Sequence, residues 1–245
     1  MANADRPTDA QPVNHDPQPA STDLAFATAC GHGQSGCDTS LLTEARAPTV
    51  EFRDDLLEPL HRSVRAAAFR LLLESGQPVE LARLAAGAEV DPVVADEVIG
   101  WFEERGSARR HRDGRVEGIA GLSTEPTRHR IELKVGTRWT WCALDAVGIV
   151  GAVGEGLIVS KTNAGRLMLE VRDGKVEHTD AAVFIADGYG MTSTMDEWCP
   201  LVNFFTTMKA AEAWAAESGA GGRVVRVDEI APEATERWRS VLTYQ

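Results

Sequence analysis

Two short segments contain the residues best suited to chemistry. The run Trp141-Cys142-Ala143-Leu144-Asp145 supplies one thiol and one carboxyl group, and Trp198-Cys199-Pro200 supplies a second thiol, in a chain with only four cysteines. Thiolates bind soft metals, and a carboxyl group can transfer a proton. If the two segments meet in the folded chain, they form a site that holds a soft metal and protonates a group bonded to it.

Each segment on its own also has an ordinary structural interpretation. A free cysteine is commonly a small buried hydrophobe, so Cys142 could belong to a core helix, with Asp145 as a surface or capping residue. Cys199 could be an inert loop residue whose backbone is restrained by Pro200. We predict a helix over 139–150, on which Cys142 and Asp145, three positions apart, would share a face.

The composition limits the classes of function. The chain has 245 residues, 43% of them hydrophobic, and a formal net charge of −12. This charge argues against broad binding to nucleic acid or anionic membranes. No apolar stretch approaches the roughly 20 residues that cross a bilayer, and no secretory signal is recognisable. We therefore expect a cytoplasmic protein with reduced cysteines.

Residues 1–46 are rich in Pro, Asp, Asn, Ser, Thr and Gly, which predicts a disordered leader. Cys30 and Cys37 lie there in a glycine-rich stretch. They could be incidental thiols, a disulfide, or an accessory loop that captures metal, because cysteine and histidine are soft-metal ligands.

Residues 47–122 predict three helices and a hairpin, the shape of a winged helix-turn-helix module. The helical period begins near residue 56, the second helix covers 79–86, the third runs from Asp91 to about 104, and the hairpin covers 109–119. The third helix carries five acids against Arg105 alone, although the wing is basic. Acids facing phosphates would repel them, so we interpret the module as structural.

Residues 123–245 predict a mixture of strands and helices. Alternating or apolar runs indicate strands at 131–135, 157–160, 167–171, 182–185, 202–205 and 224–227. Helices are predicted over 139–150, 209–217 and 232–242.

The chain resembles the organomercurial lyase (alkylmercury lyase) family of bacterial mercury resistance. The most specific part of this resemblance is Trp141-Cys142-Ala143-Leu144-Asp145. Further matches are Gly121-Leu122-Ser123, Asn203-Phe204-Phe205 after Cys199, and Ala210-Ala211-Glu212-Ala213-Trp214. Two features depart from the family pattern: a third cysteine expected near 160–163 is absent, and Pro200 replaces a second cysteine beside Cys199.

The resemblance implies an α+β fold, with a winged-helix-like three-helix module followed by a mixed lyase core (123–245) of antiparallel sheet and flanking helices. It also implies protonolysis of the carbon–mercury bond of R–Hg⁺ to R–H and Hg²⁺. Cys142 and Cys199 would be the attacking thiolates, Asp145 the proton donor, and all three would lie around the product Hg²⁺.

The resemblance further implies that no organic cofactor is used. The expected partners are the organomercurial substrate, low-molecular-weight thiols that remove Hg²⁺, and a mercuric reductase that accepts it. The alternative is a non-catalytic protein of the same fold that binds or senses mercury or another soft metal. Asp145 favours the enzyme, because sequestration needs no proton transfer.

Overall fold

The structure is a computed structural model that describes residues 57–177, 179–188 and 190–244. The predicted leader with Cys30 and Cys37 lies outside the described residues. Within them the chain is α+β, with antiparallel sheets and packed helices. The predicted fold class is therefore confirmed at this level. No helix in these ranges combines the length and apolar character needed to cross a membrane.

Three helices begin the described chain: α1 (Pro59–Ser75), α2 (Leu81–Ala88) and α3 (Pro92–Glu103). Helix α1 ends at Gly76, whose left-handed backbone lets its N–H donate to the Leu72 carbonyl. The Asp91 carboxylate caps α3 by accepting from the Val93 N–H at 2.8 Å. Helix α2 starts later than predicted because Val79 pairs with Val116 in an isolated β-bridge.

A continuous antiparallel sheet joins this region to the rest of the chain. Its strand order is β1-β2-β3-β5-β4-β6-β7-β8. The predicted hairpin is confirmed as β1 and β2. The strands are β1 (Ala108–Arg110), β2 (Val116–Ile119), β3 (Leu122–Ser123), β4 (His129–Leu133), β5 (Gly136–Thr140), β6 (Gly156–Thr162), β7 (Gly165–Arg172) and β8 (Lys175–Val176).

A second sheet has the order β10-β9-β11, and three helices complete the fold. The elements are β9 (Ala182–Ala186), β10 (Phe204–Phe205), β11 (Gly222–Arg226), α4 (Ala143–Val153), α5 (Met208–Ser218) and α6 (Val227–Thr243). Helices α4 and α6 pack closely because Gly148 and Gly151 leave room for Trp238 and Thr235; a Cβ on either glycine would overlap them.

Three further predicted elements differ clearly from the observed ones. The helix predicted over 139–150 begins at Ala143, because residues 136–140 instead pair with β4 as strand β5. The strand predicted over 202–205 is reduced to β10. The last helix starts five residues before Pro232, with Asp228 and Glu229 in its first turn, so Pro232 lies inside it. We predicted the start of α6 at Pro232 because proline is common at the first position of a helix, but here it lies in the second turn.

Arg138 on β5 fixes the sheet against helix α1. Its side chain is buried, and Nε donates to the carbonyls of Leu73 at 2.8 Å and Leu72 at 3.2 Å. Both carbonyls lie in the last turn of α1, where a helix leaves acceptor capacity free; the Leu72 carbonyl also accepts from the Gly76 N–H. Strand β5 leads directly to Cys142, so this contact helps to set where the candidate site begins.

Candidate active site

Cys142 and Asp145 occupy the start of helix α4 and bond to each other. Cys142 is the N-cap residue with an extended backbone, and its sulfur accepts a hydrogen bond from the Asp145 N–H at 3.4 Å. In return, Asp145 Oδ2 accepts from the Cys142 N–H at 3.0 Å. This reciprocal arrangement is a capping box. The prediction that both residues project from one helix face was therefore wrong, since Cys142 precedes the helix.

Cys199 follows a single π-helical turn, Thr194–Trp198, and its N–H donates to the Thr194 carbonyl at 2.8 Å. The chain then bends back, and the Ala143 N–H donates to the Val202 carbonyl at 3.0 Å. That backbone bond joins the two cysteine segments directly.

The two sulfurs and the carboxylate converge. Cys199 Sγ lies 4.0 Å from Asp145 Oδ2, and one ligand atom from each of the three residues lies within 4.8 Å of the others. Their exposed fractions are 0% for Cys142, 2% for Cys199 and 5% for Asp145. Cys142, Asp145 and Cys199, predicted from two distant segments, thus form one buried cluster, which we call the dithiol–carboxylate cluster.

Burial controls the protonation of Cys142. Burial raises the pKa of the Cys142 thiol to about 11, because a thiolate is poorly solvated there. The negative charge of Asp145 also raises this pKa, and a hydrogen bond from Cys199 lowers it. With that pKa, only about one molecule in ten thousand carries the thiolate at pH 7. Cys142 is therefore a neutral thiol at pH 7, beside the carboxyl group of Asp145.

Neighbouring side chains hold the two cysteine segments in place. Thr140 Oγ1 donates to the Cys142 carbonyl at 3.1 Å, and the indole N–H of Trp198 donates to the Ala186 carbonyl at 2.9 Å. Asn203 donates to the Pro200 carbonyl at 2.6 Å and accepts from Arg128 at 2.7 Å. We did not assign these supporting roles from the sequence. A polar Asn203 inside an apolar run was the available signal for one of them.

A buried polar pair includes one residue of the 160–163 stretch. Ser160 Oγ lies 2.8 Å from His129 Nδ1, and both residues are almost fully buried. Burial, with the nearby charge of Arg128 as a second cause, lowers the pKa of His129 to about 3. The folded chain therefore holds His129 neutral.

This histidine is expected to make the fold sensitive to acid. The unfolded chain protonates His129 near its ordinary pKa of 6.5 and the folded chain only near 3. Its contribution to stability is therefore complete above about pH 6.5 and is lost as pH falls toward 3. Lowering pH from 7 to 5 should cost about 2 kcal/mol through this group alone.

Urea unfolding at pH 7 and pH 5 measures the effect, with His129→Gln as the variant that cannot titrate. The decrease in the free energy of unfolding between pH 7 and pH 5 should be about 2 kcal/mol smaller in the variant than in the unsubstituted protein. Equal losses in the two proteins would contradict the assignment.

The basic wing is engaged in internal ion pairs. Arg110 contacts Asp96 at 2.7 Å and Glu103 at 2.8 Å, both on helix α3. Arg109 lies 3.5 Å from Asp196 in the π-helical turn before Cys199. These arginines thus link the hairpin to α3 and to the cysteine segment, which agrees with a structural use of the module.

Two buried thiols and one carboxylate lie close enough together to hold a soft metal ion, in a chain of antiparallel sheets and packed helices. Residues 122–238 match the family model described as alkylmercury lyase. A Staphylococcus epidermidis protein of that name is 32% identical over 149 residues, covering 58% of this chain and 67% of that one. A Streptomyces lividans protein of the same name is 29% identical over 152 residues, covering 60% and 69%.

A solved structure described as the mercury-bound form of MerB2 has the same fold, with a TM-score of 0.69 at 19% identity, and the match covers 80% of this chain and 97% of that one. The chain belongs to the alkylmercury lyase family. The resemblance predicted from the sequence is confirmed.

Proposed function

We propose that this alkylmercury lyase cleaves the carbon–mercury bond of organomercurials with Cys142 and Cys199 as the thiols and Asp145 as the proton carrier. The observation that carries the assignment is that these three residues lie in one buried cluster. The two cysteines are 57 positions apart in the sequence. Sulfur is the preferred ligand of a soft metal, and the adjacent carboxylate supplies the proton path that cleavage requires.

The reaction balances with two thiols. In R–Hg–X + 2 Cys–SH → R–H + Hg(S–Cys)₂ + HX, two mercury–sulfur bonds form while the carbon–mercury and mercury–X bonds break. One thiol proton ends on carbon and the other leaves with X. Each sulfur donates electron density to mercury, which weakens the Hg–C bond as carbon takes up the proton.

Asp145 is placed to carry that proton. Its Oδ2 lies 4.0 Å from the Cys199 sulfur and also accepts from the Cys142 backbone N–H. A thiol proton released on mercury binding can therefore pass to this carboxylate and then to the departing carbon. Holding thiols and acid together lowers the entropic part of the barrier.

A neighbouring cavity offers space for the organic group. It has a volume of about 290 Å³ and both apolar and charged residues in its lining. Leu144 and Trp198 belong to this lining, and they are the chain neighbours of Asp145 and Cys199. We assign the hydrocarbon group to this cavity because of these two neighbours; Cys142, Asp145 and Cys199 are not themselves in its lining.

The remaining features of the proposal concern the surroundings of the reaction. The enzyme works in the cytoplasm without an organic cofactor. Hg²⁺ stays on Cys142 and Cys199 near Asp145 until low-molecular-weight thiols remove it, and a mercuric reductase then accepts it. Residues 47–122 serve as a winged-helix-like structural module, with 123–245 as the lyase core. The ion pairs of Arg109 and Arg110 support a module that does not bind nucleic acid.

Hydrocarbon release tests the proposed activity. Phenylmercury or methylmercury, incubated with the full chain and excess thiol, should yield benzene or methane with multiple turnovers, detected by gas chromatography. Protein whose thiols have been blocked in denaturant and then refolded is the control and should release none. Stoichiometric mercury binding without hydrocarbon would instead identify a sequestering or sensing protein.

A further inference from the structure

The turn between β2 and β3 lies against the catalytic carboxylate. Ile119 pairs with Leu122, so Ala120 and Gly121 are the two central residues of a tight hairpin. Their φ angles are +48° and +82°, the signs that a type I′ turn requires at both positions. A Cβ built on Gly121 would overlap the Asp145 carboxyl group and would lie 2.7 Å from its Oδ2.

Three hydrogen bonds from different parts of the chain hold this turn. The Ala120 N–H donates to the Ser107 carbonyl at 3.2 Å, and the Trp141 N–H donates to the Gly121 carbonyl at 2.9 Å. The indole N–H of Trp238, on helix α6, donates to the Ala120 carbonyl at 3.0 Å. The turn is therefore fixed independently of Asp145.

Trp238 reaches the turn because α4 lacks a side chain where the indole crosses it. A Cβ on Gly148 would lie 2.8 Å from Trp238 Cζ3. Gly148 is three residues after Asp145 on the same helix. The packing of α4 against α6 thus places the indole that supports the turn behind the carboxylate.

We infer that Gly121 is a positioning residue for Asp145. Its bare backbone forms a wall that excludes a side chain and solvent from one face of the carboxylate. That wall keeps Oδ2 directed toward the Cys142 N–H and the Cys199 sulfur, where proton transfer occurs. The inference rests on the proposed lyase function. It gives the β2–β3 turn a role in the reaction, through the orientation of Asp145.

The chain contains a matched control for a test at Gly121. Gly114, in the β1–β2 turn, also has a left-handed backbone, with φ +87°, but a Cβ there would meet nothing within 4 Å. Alanine at either position imposes comparable backbone strain. Only Gly121→Ala also pushes on Asp145, so the difference between the variants isolates that contact.

Steady-state kinetics on phenylmercury with excess thiol should separate the two variants. For Gly121→Ala we expect kcat to fall about tenfold or more, as for misplaced proton-transfer groups. Its KM should stay within about twofold and one equivalent of Hg²⁺ should still bind, because both sulfurs remain. Gly114→Ala should keep kcat within about twofold while showing a similar loss of thermal stability.

Trp238→Phe decides the question if Gly121→Ala does not fold, since it removes the pyrrole ring with the N–H that holds Ala120 and keeps a six-membered ring beside Gly148. Its kcat should fall several-fold at unchanged KM and Hg²⁺ binding. The inference is overturned if kcat of Gly121→Ala stays within about twofold, if Gly114→Ala loses kcat equally, or if KM and Hg²⁺ binding collapse together with kcat. If Gly121→Ala does not fold, an unchanged kcat in Trp238→Phe overturns the inference. An unchanged chain that releases no benzene would refute the proposed function itself and this inference with it.

Discussion

Replacing Cys142 or Cys199 with serine is expected to reduce carbon–mercury cleavage by about 10⁴-fold or more, as when one member of a cooperating catalytic group is removed. A hydroxyl is a hard, weakly acidic ligand that neither binds mercury well nor releases its proton. The remaining thiol can still take up R–Hg⁺ in a single Hg–S bond. It cannot add the second sulfur that weakens the bond to carbon.

The measurement is benzene release from phenylmercury under excess thiol, together with mercury bound per chain. Each single variant should bind phenylmercury and release almost no benzene. The double variant Cys30→Ser/Cys37→Ser removes the chain's other two thiols and is the matched control; its turnover should be preserved when external thiol is plentiful. Full activity in Cys142→Ser or Cys199→Ser would refute the assigned roles.

Asp145→Asn is expected to separate metal binding from cleavage. The amide matches the carboxylate in shape, and its oxygen can still accept from the Cys142 N–H, so the start of α4 should remain intact. An amide cannot carry a proton between sulfur and carbon. We therefore expect kcat to fall by about 10²–10⁴, the range for loss of a general acid–base group.

Hg²⁺ binding distinguishes this outcome from general damage. Asp145→Asn should still bind one equivalent of Hg²⁺ between Cys142 and Cys199. Asp91→Asn is the matched control, because the Asp91 carboxylate also accepts from a backbone N–H at the start of a helix, α3, and is not part of the dithiol–carboxylate cluster; its kcat should equal that of the unsubstituted protein. An Asp145→Asn enzyme with undiminished kcat would remove Asp145 from the mechanism.

The sequence predicted which residues form the dithiol–carboxylate cluster better than it predicted their geometry. Cys142 and Asp145 are close in sequence, so their meeting required only local structure. Their arrangement as N-cap and third helical residue was missed, because an apolar run from Trp139 looks helical until residues 136–140 are known to pair with β4. Strand pairing is a long-range property that a local period does not contain.

Other parts of the site depended on tertiary contacts from the outset. Cys199 was placed beside Cys142 through family resemblance, and the backbone bond between Ala143 and Val202 that joins them has no sequence signature. Gly121 was noticed as a matching residue without a role. Its role became visible only when helix α6 placed Trp238 behind the turn. Helices α1 and α3 were predicted well because Gly76 marks the end of the first and Asp91-Pro92 the start of the other.

Because Cys142 is buried and protonated, its thiol should resist oxidation. Peroxides and disulfides react with exposed thiolates, and a sulfur that is fully buried and protonated at neutral pH offers them little to attack. Mercury, by contrast, can displace a thiol proton as it binds. The same burial that slows unwanted oxidation would therefore leave the enzyme ready for its own substrate.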